Sequence, residues 1–162
     1  MIRQCNSKDK DRLYSIINEA AKAYKGKIPP DRYREPNMPM DELEREMERI
    51  IFYGWEENAE LVGVMGIERV DDVTLIRHAY VLPRWQRRGI AGRLLDHLRG
   101  LVATPRLLVG TWATVYWAIR FYEKHGFKMM PEKDKLLQIY WDIPHRQIEE
   151  SVVLGVGIRK HE

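Results

Sequence analysis

The sequence predicts a mixed, mostly antiparallel α/β sheet with a central parallel strand pair and flanking helices. Three observations predict it. Strand-like runs at Ile51–Trp55, Leu61–Glu68 and Val73–Val81 are separated only by polar turns, Glu56-Glu57-Asn58 and Asp71-Asp72, which suit antiparallel hairpins. One amphipathic helix then stands between Val73–Val81 and the next strand, Arg106–Thr111, and a crossover of that kind joins parallel neighbours. No repeat, low-complexity tract or Ser/Gly linker interrupts the 162 residues, so a single domain is expected over 1–162.

The elements follow in order. Met1 to Cys5 reads as a short starting strand. Leu13, Ile16, Ile17, Ala20, Ala21 and Tyr24 recur at helical spacing, giving a helix from about Ser7 to Lys25 that Gly26 and Pro29-Pro30 stop. A loop with Tyr33, Pro36, Met38 and Pro39 leads to a second helix near Asp41, burying Leu43, Met47 and Ile50. Asp41 and Glu42 suit the positive end of its dipole. Pro83 cannot donate a ladder hydrogen bond, so the third hairpin strand ends at about Leu82. Ile90, Leu94, Leu95, Leu98 and Leu101 mark a third helix, closed by Gly100 and Pro105. Thr114–Lys124 reads as a fourth, burying Trp117, Ala118 and Phe121, with Gly126 as its stop. Phe127–Met130 and Ser151–Val156 are the last strands, with a helical excursion around Lys133–Tyr140 between them.

Composition narrows the function. At 44% hydrophobic and 31% charged residues the chain has enough apolar surface to offset the entropy of ordering, which excludes a disordered chain. No run approaches the ~20 apolar residues of a bilayer-spanning helix. The polar start, Met1-Ile2-Arg3-Gln4, lacks the apolar region of a secretion signal, and one cysteine, Cys5, can form neither an internal disulfide nor a cysteine-based metal site. A reducing cytoplasm is expected, and no metal. The net charge is +3, from 27 basic and 24 acidic residues. Residues 41–60 are acidic, whereas Arg84, Arg87, Arg88 and Arg93 crowd one segment, which points to a local anion site rather than a nucleic-acid coat.

That segment carries the chemistry. In Tyr80-Val81-Leu82-Pro83-Arg84-Trp85-Gln86-Arg87-Arg88-Gly89-Ile90-Ala91-Gly92, a strand ends, an arginine- and glycine-rich loop follows, and a helix starts at once. The first amides of a helix have no internal partner and point outward, so they form a cradle for phosphate. Gly89 and Gly92 put no side chain in the way, and Arg87 and Arg88 add full charges.

Gln86-Arg87-Arg88-Gly89-Ile90-Ala91 resembles the Gln/Arg-x-x-Gly-x-Gly/Ala signature of the GNAT superfamily, the acyl-CoA-dependent N-acetyltransferases. Ala118-Ile119-Arg120-Phe121-Tyr122-Glu123-Lys124-His125-Gly126-Phe127 is similar to the family's second motif, and both lie in the family's order. The resemblance implies a GNAT-like acyl-CoA N-acyltransferase fold and acetyl-CoA as cosubstrate, lying between the two parallel strands. Gln86, Arg87, Arg88, Gly89, Ile90, Ala91 and Gly92 would then hold the pyrophosphate. Val81 would hold pantetheine and polarise the thioester carbonyl. Tyr122 matches the family's general acid, which protonates the departing CoA thiolate; the bland alternative is a core tyrosine. Ala91 stands where a second glycine is commoner, and Val115 where many members carry an asparagine.

The base is harder to find. Leu75 and Arg77 occupy the positions where several family members carry a glutamate or histidine, and neither can serve. Strand alternation turns His78 to the opposite face, where a satisfied core histidine is expected. Glu68 is the candidate, acting through water, against a solvated turn glutamate. Arg77 suits an anionic acceptor. The resemblance also implicates Tyr33, Met38, Trp112 and Trp141 in the acceptor site, and all four equally fit a core. The reading is acetyl transfer to a primary amine of a small molecule, by direct attack in a ternary complex. The alternatives are acetylation of protein N-termini or lysines, and a non-catalytic acyl-CoA sensor. No nucleic-acid or membrane partner is expected, and homodimers are frequent in the family.

Overall fold

The structure, a computed structural model, describes residues 1–158; the last four residues of the single domain expected over 1–162 lie outside the described residues. Strand β1 (Ile2–Gln4) is followed by α1 (Lys10–Ala20), α2 (Met40–Glu46), β2 (Ile51–Glu57), β3 (Glu60–Val70) and β4 (Val73–Val81). Then come α3 (Ile90–Arg99), β5 (Arg106–Trp112), α4 (Tyr116–Lys124), β6 (Lys128–Met129), α5 (Lys133–Tyr140), α6 (His145–Glu149) and β7 (Ser151–Gly157). The strands hydrogen-bond in the order β1-β2-β3-β4-β5-β7-β6, mostly antiparallel with one parallel pair, which is the expected class. The chain forms two compact units, Met1–Glu68 with Ile76–Leu101, and Arg69–Leu75 with the residues from Val102 onward.

In the first unit the expected long helix resolves into a 3-10 turn at Ser7–Asp9, α1, and a second 3-10 turn at Ala21–Tyr24. Asn6 starts it. Its side chain accepts from the Lys8 amide at 2.8 Å, and Asp9 accepts from the Asn6 amide at 2.8 Å, so two otherwise unpaired donors are satisfied reciprocally. Arg3 joins this cap to the sheet, binding Asp9 at 2.7 Å and Glu56 of β2 at 2.5 Å. The hydrogen bonds from Arg3 hold the Asp9 carboxyl below the ordinary carboxylate range. Leu13, Ile16, Ile17 and Ala20 form the buried stripe of α1, as their spacing predicts. Leu94, Leu95 and Leu98 do the same for α3. Cys5 is buried, and desolvation pushes its thiol up to about 12.

Two glycines of β3 set how closely neighbouring elements approach. A methyl group on Gly63 would lie 3.0 Å from the Ile90 side chain and 3.2 Å from that of Val81, so the bare backbone is what seats the start of α3. A methyl group on Gly66 would lie 2.5 Å from Ile50 and 3.0 Å from the Arg77 carbonyl.

The second unit has its own core of Val73, Leu75, Leu108, Leu136, Leu137, Ile148 and Val153, with Val70, Met130, Tyr140, Trp141 and Ile143 packed against it. The helical excursion occupies Lys133–Tyr140, the predicted span; α6 was not anticipated. The buried face of α4 differs from expectation. Trp117 is 45% exposed, while Tyr122 is 4% exposed. Of the expected Trp117, Ala118 and Phe121, the last two are half-buried and Trp117 is exposed; the buried residue of α4 is Tyr122, with Val115 buried at its N-cap.

Gly66→Ala must displace Ile50 and a backbone carbonyl. Overpacking of this kind costs about 1–3 kcal/mol, so a thermal melt is expected to shift down by several degrees. An unchanged melt would show that β3 has slack at this point.

Candidate functional site

Strand β4 ends in a built cradle within the first unit. The Leu82 amide donates to the Val62 carbonyl at 2.9 Å, and Pro83–Trp85 then make one 3-10 turn, closed by Trp85 donating to Leu82 at 2.8 Å. Gln86 folds back, its side-chain amide donating to the Val81 carbonyl at 3.0 Å. Two residues of the loop are left-handed, Arg87 at φ 64° and Gly89 at φ 81°. At Gly89 any side chain would strain the backbone. The Arg88 guanidinium lies over the Trp85 ring, 4.8 Å from its centroid.

Gly89 is the N-cap of α3 and supplies no side-chain hydrogen bond. The first amide bonded back into the helix is that of Arg93, to the Gly89 carbonyl at 3.1 Å. The amides of Ile90, Ala91 and Gly92 precede it and lie at the positive end of the helix dipole. Ile90 itself is buried, which fixes this helix start to the sheet. Arg84, Arg87, Arg88 and Arg93 are exposed around it. Chemically, this is a set of main-chain donors with exposed cations beside it, suited to a diphosphate.

A second constellation, also in the first unit, joins α2, β3 and β4. Arg77 donates to Glu68 at 2.7 Å and to Glu46 at 3.5 Å. Arg49 binds the other Glu68 oxygen at 3.1 Å and stands 3.7 Å from Glu46. His78 Nε2 lies 2.5 Å from Glu46 Oε2, and its ring stacks on Phe52 with centroids 6.1 Å apart. Burial pushes the Glu46 carboxyl up, but the contact with His78 and the charges of His78, Arg77 and Arg49 outweigh it and hold the carboxyl below its usual value. Both oxygens of Glu68 are therefore engaged, and so is the guanidinium of Arg77.

His78 departs from the expected geometry. Its φ is +55°, left-handed in the middle of a strand, so β4 does not alternate there. Arg77 and His78 are consecutive, yet both reach Glu46, and the opposite-face placement of His78 does not hold. Glu46 itself was missed. A signal existed: it lies three residues beyond buried Leu43 on the same helix face, and it is only 8% exposed.

Other expected residues are placed as follows. Tyr33 is half-buried and donates to Glu35 at 2.6 Å, a hydrogen bond that raises its phenol above the ordinary range. Met38 is buried, its backbone held on both sides by Asn18. In the second unit, Tyr122 packs edge-on to Phe121 and against Phe127, with centroids 5.0 and 5.4 Å away. Trp112 is half-buried at the end of β5, and Trp141 packs over Gly110 and the core of that unit. Val115 is fully buried.

Residues 48–129 match the family model described as an acetyltransferase (GNAT) domain, half of the chain. Solved structures agree in fold. PaiA N-acetyltransferase from Thermoplasma acidophilum, in complex with coenzyme A, aligns with TM-score 0.72 at 16% identity over 97% of this chain and 98% of that one. A GNAT-family acetyltransferase from Staphylococcus aureus aligns with TM-score 0.76 at 19% identity over 98% and 99%. The ribosomal-protein-S18-alanine N-acetyltransferase from Escherichia coli aligns with TM-score 0.68 at 17% identity over 100% and 96%. Sheet order, cradle and sequence match together define an acyl-group transferase. The chain belongs to the GNAT acetyltransferase family, and it is an acyl-CoA-dependent enzyme.

Because its folded-state pKa is depressed, Glu46 contributes stability above its ordinary value of 4.5 and loses it as pH falls through the folded value. Urea unfolding of the wild type is expected to weaken as pH falls below 4.5. Glu46→Gln should flatten that dependence and be less stable by about 3 kcal/mol at neutral pH, since it takes a buried counter-charge from Arg77 and Arg49. Parallel pH dependences for the two proteins would contradict this.

Proposed function

We propose that this acetyltransferase moves the acetyl group of acetyl-CoA to a primary amine of a small molecule, by direct attack in a ternary complex. The observation that carries the cosubstrate is the start of α3. Three amides without intrahelical partners, no capping side chain, a left-handed glycine and flanking arginines suit a diphosphate. Gln86, Arg87, Arg88, Gly89, Ile90, Ala91 and Gly92 are assigned to it, and Val81 to pantetheine and the thioester carbonyl. Acetyl-CoA, when bound, supplies the activated acyl group; the protein supplies position, charge and proton transfer.

Tyr122 is assigned as the donor that protonates the departing thiolate. A phenol near pKa ~10 stays protonated at neutral pH and can give its proton to a thiolate of ordinary pKa ~8.5. Arg77, Tyr33 and Trp112 are assigned to the acceptor. A role for Glu68 as base through water requires one of its ion pairs, with Arg77 or Arg49, to open first. The four side chains Glu46, Glu68, Arg49 and Arg77 balance in charge, which suits a compact amine better than an extended polycation. We treat residues 1–162 as one cytoplasmic enzyme domain. No helix of the described residues is long and apolar enough to cross a membrane.

A second reading is acetylation of a protein α-amine. It is favoured by the likeness in fold, over the whole chain, to an enzyme named as a ribosomal-protein-S18-alanine N-acetyltransferase. Thiol release from acetyl-CoA across a panel of small amines and N-terminal peptides separates the two. Turnover confined to peptides overturns the small-molecule proposal.

Two variants test the assigned roles. Arg87→Ala with Arg88→Ala removes up to two charge-assisted contacts, and coenzyme A affinity by calorimetry should fall about 10- to 100-fold or more. Tyr122→Phe should lower kcat by about 10²-fold while leaving coenzyme A affinity unchanged. A Tyr122→Phe enzyme with normal kcat would return this residue to a packing role.

A further inference from the structure

We propose that Arg49 binds a carboxylate of the acceptor, so that the amine acetylated belongs to a molecule of amino-acid size and charge; this deepens, and rests on, the amine acetylation proposed above. The layering of the quartet formed by Glu46, Glu68, Arg77 and Arg49 is the first ground. Its acids lie inside, the Glu46 and Glu68 side chains being 11% and 12% exposed, while Arg49 is outermost at 49%. What the quartet shows to solvent is therefore guanidinium, although its charges cancel. An ammonium group arriving from outside meets a cation first, and an anion meets its counter-charge.

The hydrogen-bonding capacity left over is the second. Arg77 gives Nη1 to Glu68 at 2.7 Å and Nη2 to Glu46 at 3.5 Å, so it is spent on the inner carboxylates. Arg49 gives Nε to Glu68 at 3.1 Å, and its Nη2 stands 3.7 Å from Glu46, beyond hydrogen-bond reach. Nη1 of Arg49 has no partner among the described residues. The terminal edge of this guanidinium, Nη1 with Nη2, is thus still able to donate. Because Nε is already tied to Glu68, less freedom is left to lose when a ligand arrives.

A carboxylate fits that edge in shape and charge. The planar fork of arginine matches two oxygens of a carboxylate or of a phosphate. Two acids already offset two guanidiniums here, so a carboxylate leaves one excess negative charge beside the buried acids, and a phosphate dianion leaves two. The carboxylate is the better tolerated.

Position is the third ground. A methyl group on Gly66 would meet Ile50, the neighbour of Arg49 in the chain, whereas one on Gly63 would meet Ile90 at the start of α3. Residues three apart on a strand point to opposite faces. The turn that carries Arg49 therefore packs on the face of β3 opposite α3, and an anion held there does not compete with the diphosphate proposed for the α3 loop. Arg77, which shares Glu68 with Arg49, precedes Val81 by four residues of β4, about 13 Å of strand. A short molecule carrying both an amine and a carboxylate suits that span, with the arginine side chain making up part of it.

The test compares kcat/KM, taken per unprotonated amine, for amino acids, their primary amides and their phosphonate analogues, with wild type, Arg49→Gln and Arg49→Lys. Coenzyme A affinity is measured on each protein and should not change, which shows that the variants are folded. Wild type should favour the acid over its amide by about tenfold or more. Arg49→Gln should lose about 10- to 100-fold on the acid, through KM, and bring the acid-to-amide ratio close to one. Arg49→Lys keeps the charge without the fork and should recover part of that ratio. An arginine that only braces α2 would lower acid and amide alike and leave the ratio where it was, which overturns the proposal. A wild type that turns over amines but is indifferent to the carboxylate, or prefers the phosphonate, overturns it as well. A wild type that releases no thiol with any amine overturns the functional reading itself, and is distinct because it needs no variant.

Discussion

The first unit is organised around one backbone event, the left-handed turn of a single residue in β4. A strand that alternates regularly offers each face every second side chain. At His78 that rule is suspended, and two consecutive side chains meet a carboxylate delivered by the end of α2. The carbonyl of Arg77 at the same point lies close over Gly66, where even a methyl group would crowd it. The bulk that β3 lacks is therefore what lets β4 deform. Beyond the deformation, the strand runs on to Val81 and into the turn that leads to α3.

The loop proposed as the cradle is fixed by contacts of its own. Gln86 is pinned to the Val81 carbonyl, Arg88 rests on Trp85, and Ile90 is sunk against Gly63. Each contact removes freedom before any ligand arrives, and freedom already lost need not be lost again on binding. Arg93 is placed in the same way, its guanidinium over the Trp55 ring at 5.3 Å.

Legibility in the sequence followed locality. The hairpins of β2, β3 and β4 were readable because polar turns and apolar runs are local signals, and α5 coincided with its predicted span for the same reason. The junction at which β4 ends, a glycine- and arginine-rich loop follows and α3 begins was readable because those residue types at fixed offsets are a local signal; its assignment to a diphosphate is the proposal made above. What failed was non-local or conformational. No residue type in Arg77-His78-Ala79 announces a positive φ, so a period of two was carried through His78 and sent it to the wrong face. Glu46 read as one more charge in an acidic segment, although its offset from Leu43 placed it inward. Trp117 was expected inside on hydrophobicity alone, whereas Val115 and Tyr122, seven residues apart, mark the face that is buried. The short α6 follows Pro144 and lasts too few residues to show a period.

The buried sulfur at Cys5 has a consequence for the enzyme's own product. Each turnover liberates a free thiol, and thiols in an oxidising moment seek disulfide partners through a thiolate. The chain's one sulfhydryl lies behind the sheet edge and is pushed up to about 12 by burial, so at neutral pH almost none of it is ionised. Burial thus disfavours a mixed disulfide between this protein and coenzyme A, since the thiolate that would form it is scarce.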